Sequence, residues 1–233
     1  MKNVLISQEE KIEAIKQNRY FAGLENKALF GLSQGTSLNL FNTGEYICWA
    51  GEPCTGLYMI RQGRVKLFKL SNKGRELIIR VMEAGATFNE VPVFDRGRNV
   101  VNVAALEDTQ IWVFEKEVIR RTLEEHPEMS NAIILNLTQN LRDMVKMIEE
   151  LSFYQVTNRL ARLLSLLTEE QLSGSKDQRL TQDTLAARLG TVREVVARSL
   201  RDLDQSGAIV VKRGKIKIVD RAILEDWAHP LDT

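Results

Sequence analysis

A single glycine, Gly190, separates two short helical patterns near the C-terminus, and this spacing strongly limits the possible folds. The first pattern covers residues 181–189 and the second covers residues 191–205. Two β-prone runs follow, residues 209–212 and 215–219, around a glycine-containing turn. Two short helices joined by a tight turn and followed by a hairpin are typical of a winged helix-turn-helix.

Positive charge is concentrated in the same stretch. Residues 188–217 include eight basic and three acidic side chains, a balance of +5 on a chain whose net charge is +1. Nucleic-acid binding depends on local positive charge of this kind, because basic side chains neutralise the phosphates of the nucleic acid. The chain has neither a secretory signal nor an apolar run of the ~20 residues that cross a bilayer. We therefore expect a cytoplasmic protein with no membrane partner.

Residues 38–115 show a different pattern, in which short apolar runs are separated by glycines about every ten residues. This recurrence predicts an antiparallel β-sandwich or barrel, because glycine at turns supplies the positive φ that other residues resist. The apolar runs are residues 46–49, 57–60, 65–68, 77–82 and 111–114.

Beyond His126 and Pro127 the apolar period becomes that of a long helix. One set of residues has the 4-3-4-3-4 spacing of a coiled-coil seam and predicts a homodimer. This seam consists of Ile133, Leu137, Asn140, Met144, Met147 and Leu151. A second stripe lies on an adjoining face and consists of Ile134, Leu141, Val145 and Ile148. Two stripes suggest one face on the chain's own domain and one on a partner; a single broad core face is the alternative.

These patterns predict an α+β chain with three parts. Residues 1–126 form an N-terminal antiparallel β-roll domain that includes N-terminal helices. Residues 127–152 form a long dimerisation helix. Residues 153–233 form a C-terminal winged helix-turn-helix domain that binds double-stranded DNA.

The second helix of the helix-turn-helix leaves three charged residues free to contact bases. Arg193 and Arg198 suit guanine, and Glu194 suits the cytosine amino group. A merely solvated face is the alternative for the arginines, and a capping box with Thr191 is the alternative for Glu194. Phosphate contacts, which position the protein without specifying sequence, are predicted for Thr181, Arg201, Lys212, Arg213 and Lys215.

Residues 181–203 resemble the helix-turn-helix of the Crp/Fnr family of transcription regulators. The resemblance covers nearly the whole chain and implies that the β-roll is a jelly roll like those that bind cyclic nucleotides. The segments similar to the β-roll of the family are residues 44–47, 51–52, 57–58, 63–65, 74–77, 88–90 and 105–108. The resemblance also implies a homodimer that reads an inverted repeat through Arg193, Glu194 and Arg198 and that contacts RNA polymerase. Ala197, where another branch of the family has serine, favours a TGTGA-type half-site. The resemblance implies a regulator and not an enzyme.

The resemblance also locates a candidate effector pocket. Its members are Phe88, Asn89, Glu90, Asn99, Val100, Asn140, Met144 and Val145. Cyclic-AMP binders of the family have Gly-Glu and Arg-Ser where this chain has Asn-Glu and Asn-Val, and Met144 and Val145 cannot make polar contacts to adenine or phosphate. Because a cyclic phosphate needs a fixed cation and several donors, we do not expect cyclic AMP as the effector.

The cofactor is unknown from the sequence. Cys48 and Cys54 are fewer thiolates than the iron–sulfur cluster of the family needs, so we do not expect a cluster and interpret both as small buried residues. Neither His126 nor His229 lies on a predicted β-roll wall, so we do not expect haem or another metal. The pocket binds another ligand, or the regulator is constitutive; a cyclic-nucleotide-gated regulator with an atypical cassette is the alternative.

Overall fold

The computed structural model describes residues 2–174 and 180–229. Its strands are β1 Lys2–Val4, β2 Thr36–Phe41, β3 Tyr46–Cys48, β4 Gly56–Gln62, β5 Arg64–Leu70, β6 Glu76–Glu83, β7 Thr87–Phe88, β8 Asn102–Ala105, β9 Thr109–Glu115, β10 Ile209–Lys212 and β11 Lys215–Ile218. Its helices are α1 Gln8–Lys16, α2 Asn26–Gln34, α3 Glu90–Asp95, α4 Lys116–Glu125, α5 Met129–Phe153, α6 Val156–Ser165, α7 Glu169–Ser173, α8 Gln182–Leu189, α9 Arg193–Gln205 and α10 Arg221–Ala228.

The chain divides into two compact units. The first is formed by the residues up to Lys69 and by Ile79–Leu141, and the second by Leu70–Ile78 and the residues from Arg142 onward. None of the helices among the described residues is long and apolar enough to span a membrane.

Two antiparallel sheets form the predicted β-roll. One has the strand order β1-β2-β9-β4-β7 and the other has the order β3-β8-β5-β6. The space between the sheets is filled by apolar residues from both. Gly63, in the turn between β4 and β5, has a φ of +90°, and a Cβ there would lie 2.8 Å from the carbonyl oxygen of Asp108. The turn therefore needs glycine both for its conformation and for the close approach of the neighbouring backbone.

The outer face of the five-stranded sheet packs against helices. Trp112 and Phe114 of β9, both buried, lie in one cluster with residues of α1, α2, α4 and the start of α5. Phe21 packs its ring against Phe114, with centroids 5.2 Å apart. These contacts bring the N-terminal helices next to α3, and that placement decides the surroundings of Glu90.

The second unit contains the predicted winged helix-turn-helix. Helices α6, α8, α9 and α10 share one apolar core with the β10–β11 hairpin. Leu185, Ala186 and Leu189 of α8 are buried, and Val196, Leu200 and Leu203 form the buried side of α9. The sequence Ser-Gly-Ser-Lys-Asp at residues 173–177 predicts a loop, which lies partly outside the described residues.

Candidate DNA-binding surface and sensor site

The turn between α8 and α9 is fixed by local backbone geometry. Thr181 caps the N-terminus of α8, where its hydroxyl accepts a hydrogen bond from the Thr184 amide at 3.1 Å. Gly190 ends the helix in the left-handed conformation, with a φ of +63°. The Thr191 amide then donates to the carbonyl of Ala186 at 3.0 Å. This closed turn sets the angle at which α9 leaves α8.

Helix α9 exposes the residues predicted to contact bases. The side chains of Arg193, Glu194 and Arg198 are all exposed, and Arg201 extends the same surface by one turn. Glu194, Arg198 and Arg201 are spaced by four and three residues, so they lie on one side of the helix, opposite its buried side. Arg193 lies beside them in the first turn. The structure therefore brings together three of the predicted base-contacting residues and one predicted phosphate-contacting residue.

The capping box that was the alternative role for Glu194 is not formed. The N-cap of α9 is Val192, one residue later than this alternative requires, and it makes no side-chain capping hydrogen bond. Glu194 is therefore an exposed carboxylate in the first helical turn, beside the positive end of the helix dipole.

Arg193 is held by two side chains of α8 that are not among the site residues predicted from the sequence. Its Nε donates to Oε1 of Gln182 at 3.4 Å, and its Nη1 lies 3.7 Å from Oδ2 of Asp183. Both partners follow the N-cap Thr181, so the start of α8 determines where the guanidinium lies. These partners lie on a different helix from Arg193, so no helical period relates them and only the folded turn reveals the contact.

The β10–β11 hairpin presents the remaining predicted phosphate contacts. Lys212 and Lys215 are paired across its end, and the side chains of Lys212, Arg213 and Lys215 are exposed. Ile209 and Ile216 are buried in the core of the unit, and the Val211 amide donates to Oδ1 of Asp204 at 3.1 Å. The charged end of the hairpin is thereby anchored to α9.

In the first unit, Glu90 of the candidate effector pocket belongs to a buried polar network. Tyr20 donates its hydroxyl to Oε1 of Glu90 at 2.9 Å, and Asn136 donates to the same oxygen at 3.1 Å. Asn136 also donates to the Tyr20 hydroxyl and accepts from Arg19. Burial, and secondarily the Glu90 carboxylate, raise the pKa of Tyr20 far above its usual value. The carboxyl group of Glu90 is therefore bound by the protein's own donors.

Asn89 and Asn99 also bond within the protein. Asn89 has a φ of +74°, and its side-chain amide donates to Oδ1 of Asn99 at 3.2 Å and to the carbonyl of Gly56 at 3.0 Å. The same amide lies 3.4 Å from Sγ of Cys54. The structure thus brings together Asn89 and Asn99 of the candidate effector pocket, which are hydrogen-bonded to each other inside the β-roll.

Other candidate pocket residues are dispersed. Phe88 is buried, with its ring stacked on Tyr58 at 5.0 Å. Asn140 accepts from Nη1 of Arg80 at 2.5 Å, a contact that sequence spacing could not reveal. Val100 is exposed, and its carbonyl accepts a hydrogen bond from Lys69. Met144 and Val145 are also exposed, on α5.

Both cysteines are buried, in agreement with the sequence interpretation. Cys48 lies in β3 and Cys54 in the loop before β4. Burial raises the pKa of Cys48 to about 12 and also raises that of Cys54. Within residues 2–174 and 180–229, no group of three or more His, Cys, Asp or Glu side chains could hold a metal ion.

Comparison with known proteins agrees with both parts of this description. Residues 38–126 match the model of the cyclic nucleotide-binding domain, and residues 158–227 match that of the Crp-like helix-turn-helix domain. The chain belongs to the Crp/Fnr family. It is therefore a DNA-binding transcription regulator of the Crp/Fnr type and not an enzyme.

Several individual Crp/Fnr proteins are similar to this chain. The cyclic AMP receptor protein of Thermus thermophilus is 29% identical over 192 residues, which cover 82% of this chain and 88% of that protein. A solved CRP/FNR-family regulator from the same organism has a TM-score of 0.67 and 26% identity, covering 82% of this chain and 97% of its own. A c-di-GMP-responsive global regulator from Xanthomonas campestris has a TM-score of 0.70 at 19% identity, covering 84% and 100%, and supports the fold alone.

The long helix of this Crp/Fnr protein differs from the seam predicted from its sequence. Ile133 is buried in the core of the first unit, and Leu137 packs against that core. These two residues are covered by the chain's own core and are not available to a partner. Met144 and Leu151 are exposed, and Met147 is partly buried. The second stripe is the exposed one: Ile134, Leu141, Val145 and Ile148 are 59%, 63%, 56% and 63% exposed.

Proposed function

We propose that this Crp/Fnr regulator binds, as a homodimer, an inverted repeat of TGTGA-like half-sites. The observation that carries this proposal is the exposed Arg193, Glu194 and Arg198 face of α9. Arginine can donate to the O6 and N7 atoms of guanine, and glutamate can accept from the cytosine amino group. This face therefore suits a half-site that has G·C pairs at two positions. The same proposal includes localisation in the cytoplasm, where this DNA lies, and a contact between the protein and RNA polymerase.

The exposed stripe of α5 supports the homodimer. Leu141, Val145 and Ile148 have the spacing of a coiled-coil seam, and each is more than half exposed. A contiguous apolar surface of this kind marks an interaction site in a protein of this size. Two copies pairing along this stripe would place two α9 helices on successive half-sites of one DNA face. The proposed seam is therefore this second stripe, and Ile133 and Leu137 remain in the chain's own core.

We further propose that the sensor is not a standard cyclic-AMP site. Glu90, Asn89 and Asn99 are engaged with Tyr20, Asn136, Gly56 and one another. A nucleotide that used these groups would have to displace buried hydrogen bonds, each of which stabilises the protein by about 1 kcal/mol. The sensor then takes a different ligand or none.

The alternative function is a cyclic-nucleotide-gated regulator with an atypical cassette. The match to the cyclic nucleotide-binding domain and the similarity to a cyclic AMP receptor protein favour it. In that case ligand binding must rearrange the Tyr20–Glu90 network, because only a difference in affinity between two conformations can shift their balance.

Fluorescence anisotropy with a labelled TGTGA inverted repeat tests both functions. The purified protein is titrated onto the repeat and onto a scrambled duplex, each with and without cyclic AMP. We expect selective binding without nucleotide and no change when it is added. Selective binding only with cyclic AMP would establish the alternative. Equal binding to both duplexes under all conditions would contradict the proposed half-site.

A further inference from the structure

The end of the β10–β11 hairpin has a demanding backbone conformation. The pairing of Lys212 with Lys215 leaves only Arg213 and Gly214 in the turn. Their φ angles are +50° and +74°. Two-residue hairpin turns with positive φ at both central positions favour Asn, Asp or Gly at the first. The Cβ of an L residue lies too close to the following carbonyl oxygen in this conformation; glycine has no Cβ, and the short side chains of Asn and Asp can hydrogen-bond locally. The chain nevertheless has arginine at this position.

Charge at the same turn also opposes stability. Lys212 and Lys215 are directly opposite each other in register, and like charges in that relationship repel. Arg213 adds a third cation between them. Within residues 2–174 and 180–229, the Arg213 guanidinium makes no hydrogen bond or ion pair, so nothing described in the fold compensates for its position. Backbone strain and unbalanced charge at one exposed point indicate a role in binding an anion.

The turn borders the part of the DNA-binding surface that is expected to read bases. Gly214 lines a cleft of about 320 Å³ together with Thr181, Gln182 and Arg193. Arg193 begins α9, so the tip of the hairpin lies beside the N-terminal end of that helix. The buried Ile209 and Ile216 hold the hairpin in this position.

We propose that Arg213 enters the minor groove next to each half-site and reads its width. When α9 occupies the major groove, the tip of the β10–β11 hairpin beside its N-terminus contacts the neighbouring DNA backbone and the minor groove on the far side of that backbone. Lys212 and Lys215 would then contact phosphates on either side of that groove. The narrow minor groove of A·T tracts has an enhanced negative potential that attracts arginine. This proposal rests on the DNA-binding function and adds a preference for A·T flanks outside the half-site.

The reason for arginine is physical. A guanidinium is more weakly hydrated than an ammonium group, so it enters a narrow groove at a lower desolvation cost than lysine. A phosphate contact alone would be served equally well by lysine and would not depend on flanking sequence. The two roles of Arg213 therefore predict different results for the conservative substitution Arg213→Lys.

The test compares binding to three inverted repeats that differ only in their flanks. One has A·T flanks, one has G·C flanks, and one has inosine·cytosine flanks, which keep the acceptors of G·C in the major groove but lack the minor-groove amino group. A scrambled half-site with A·T flanks is the control for DNA recognition itself. We expect the wild type to bind the A·T and inosine·cytosine repeats ~3–10-fold more tightly than the G·C repeat.

Two variants make the result specific to Arg213. Arg213→Asn places a residue that tolerates positive φ in the turn, so we expect a higher Tm together with loss of the flank preference. Arg213→Lys should keep most of the overall affinity and lose most of the flank preference. A wild type that binds all three flanks equally, or an Arg213→Asn variant that keeps the preference, would overturn the proposal. Tighter binding to the TGTGA-like repeat than to the scrambled half-site with the same flanks would still support the proposed half-site recognition.

Discussion

Tyr20 and Glu90 are joined by a 2.9 Å hydrogen bond, although 70 residues separate them in the sequence. Both side chains are buried, and Asn136 of the long helix bonds to both. The bond connects the segment after α1 to the first residue of α3. The carboxyl group of Glu90, which the family resemblance places in a candidate effector pocket, is thus part of the internal framework of this protein.

Removing the Tyr20 hydroxyl should destabilise the protein. Tyr20→Phe deletes a donor to a buried carboxyl group, so we expect the free energy of unfolding to fall by ~1–3 kcal/mol. Urea denaturation followed by circular dichroism measures this change. Tyr46→Phe is the control, because the ring of Tyr46 is half-buried and stacks on Trp49; we expect a change within ~0.5 kcal/mol. Equal effects of the two substitutions would argue against a stabilising Tyr20–Glu90 bond.

Arg198 should contribute both affinity and specificity. Arg198→Ala removes a proposed guanine contact, so we expect a loss of ~1–3 kcal/mol on the cognate repeat and a relaxed preference at one base pair. Competition anisotropy with duplexes altered one position at a time measures both effects. An unchanged base preference would contradict the assignment.

Lys215 provides the matched comparison for Arg198. If it contacts a phosphate, Lys215→Ala weakens binding to all duplexes about equally and reduces the slope of log K against log salt concentration by ~1. A loss confined to one sequence would instead place Lys215 among the base-reading residues.

A charge on the exposed stripe of α5 should prevent dimerisation. Leu141→Glu would place an unpaired carboxylate in the proposed seam, where its desolvation opposes association. We expect sedimentation equilibrium to show a dimer for the wild type and a monomer for the variant, with unchanged helical content. Lys146→Glu, at an exposed position outside the stripe, should leave the dimer intact. A dimeric Leu141→Glu protein would show that the subunits associate elsewhere.

Both cysteines should be unreactive in the folded protein. Alkylation requires an accessible thiolate, and burial raises the pKa of Cys48 to about 12. Cys54 is buried as well, and its pKa is also raised. At about pH 8 we expect iodoacetamide to label the native protein orders of magnitude more slowly than the protein in guanidinium chloride, as followed by mass spectrometry. Rapid labelling of either thiol in the native state would contradict this burial.

Local sequence patterns were sufficient to predict the helix-turn-helix and the exposed face of α9. Gly190 and the apolar period of α9 specify a tight turn and a buried side, and the exposed positions of Arg193 and Arg198 follow from helical geometry alone. The β-roll was likewise predictable, because alternating runs and turn glycines act over a few residues. Even so, the hydrogen bond that Arg193 donates to Gln182 depends on how the turn folds, and the sequence does not predict it.

Two features were decided only by the tertiary structure. The two apolar stripes of α5 both fit a seven-residue period, so the sequence could not establish which one packs inward. Docking against the N-terminal helices buried Ile133 and left Ile134 exposed. Glu90 matches a family motif, yet its surroundings depend on Tyr20 and Asn136, which lie 70 and 46 residues away. Periodicity reports neighbours within one element, whereas a buried polar group is bonded by whichever donors the packing of distant elements brings to it.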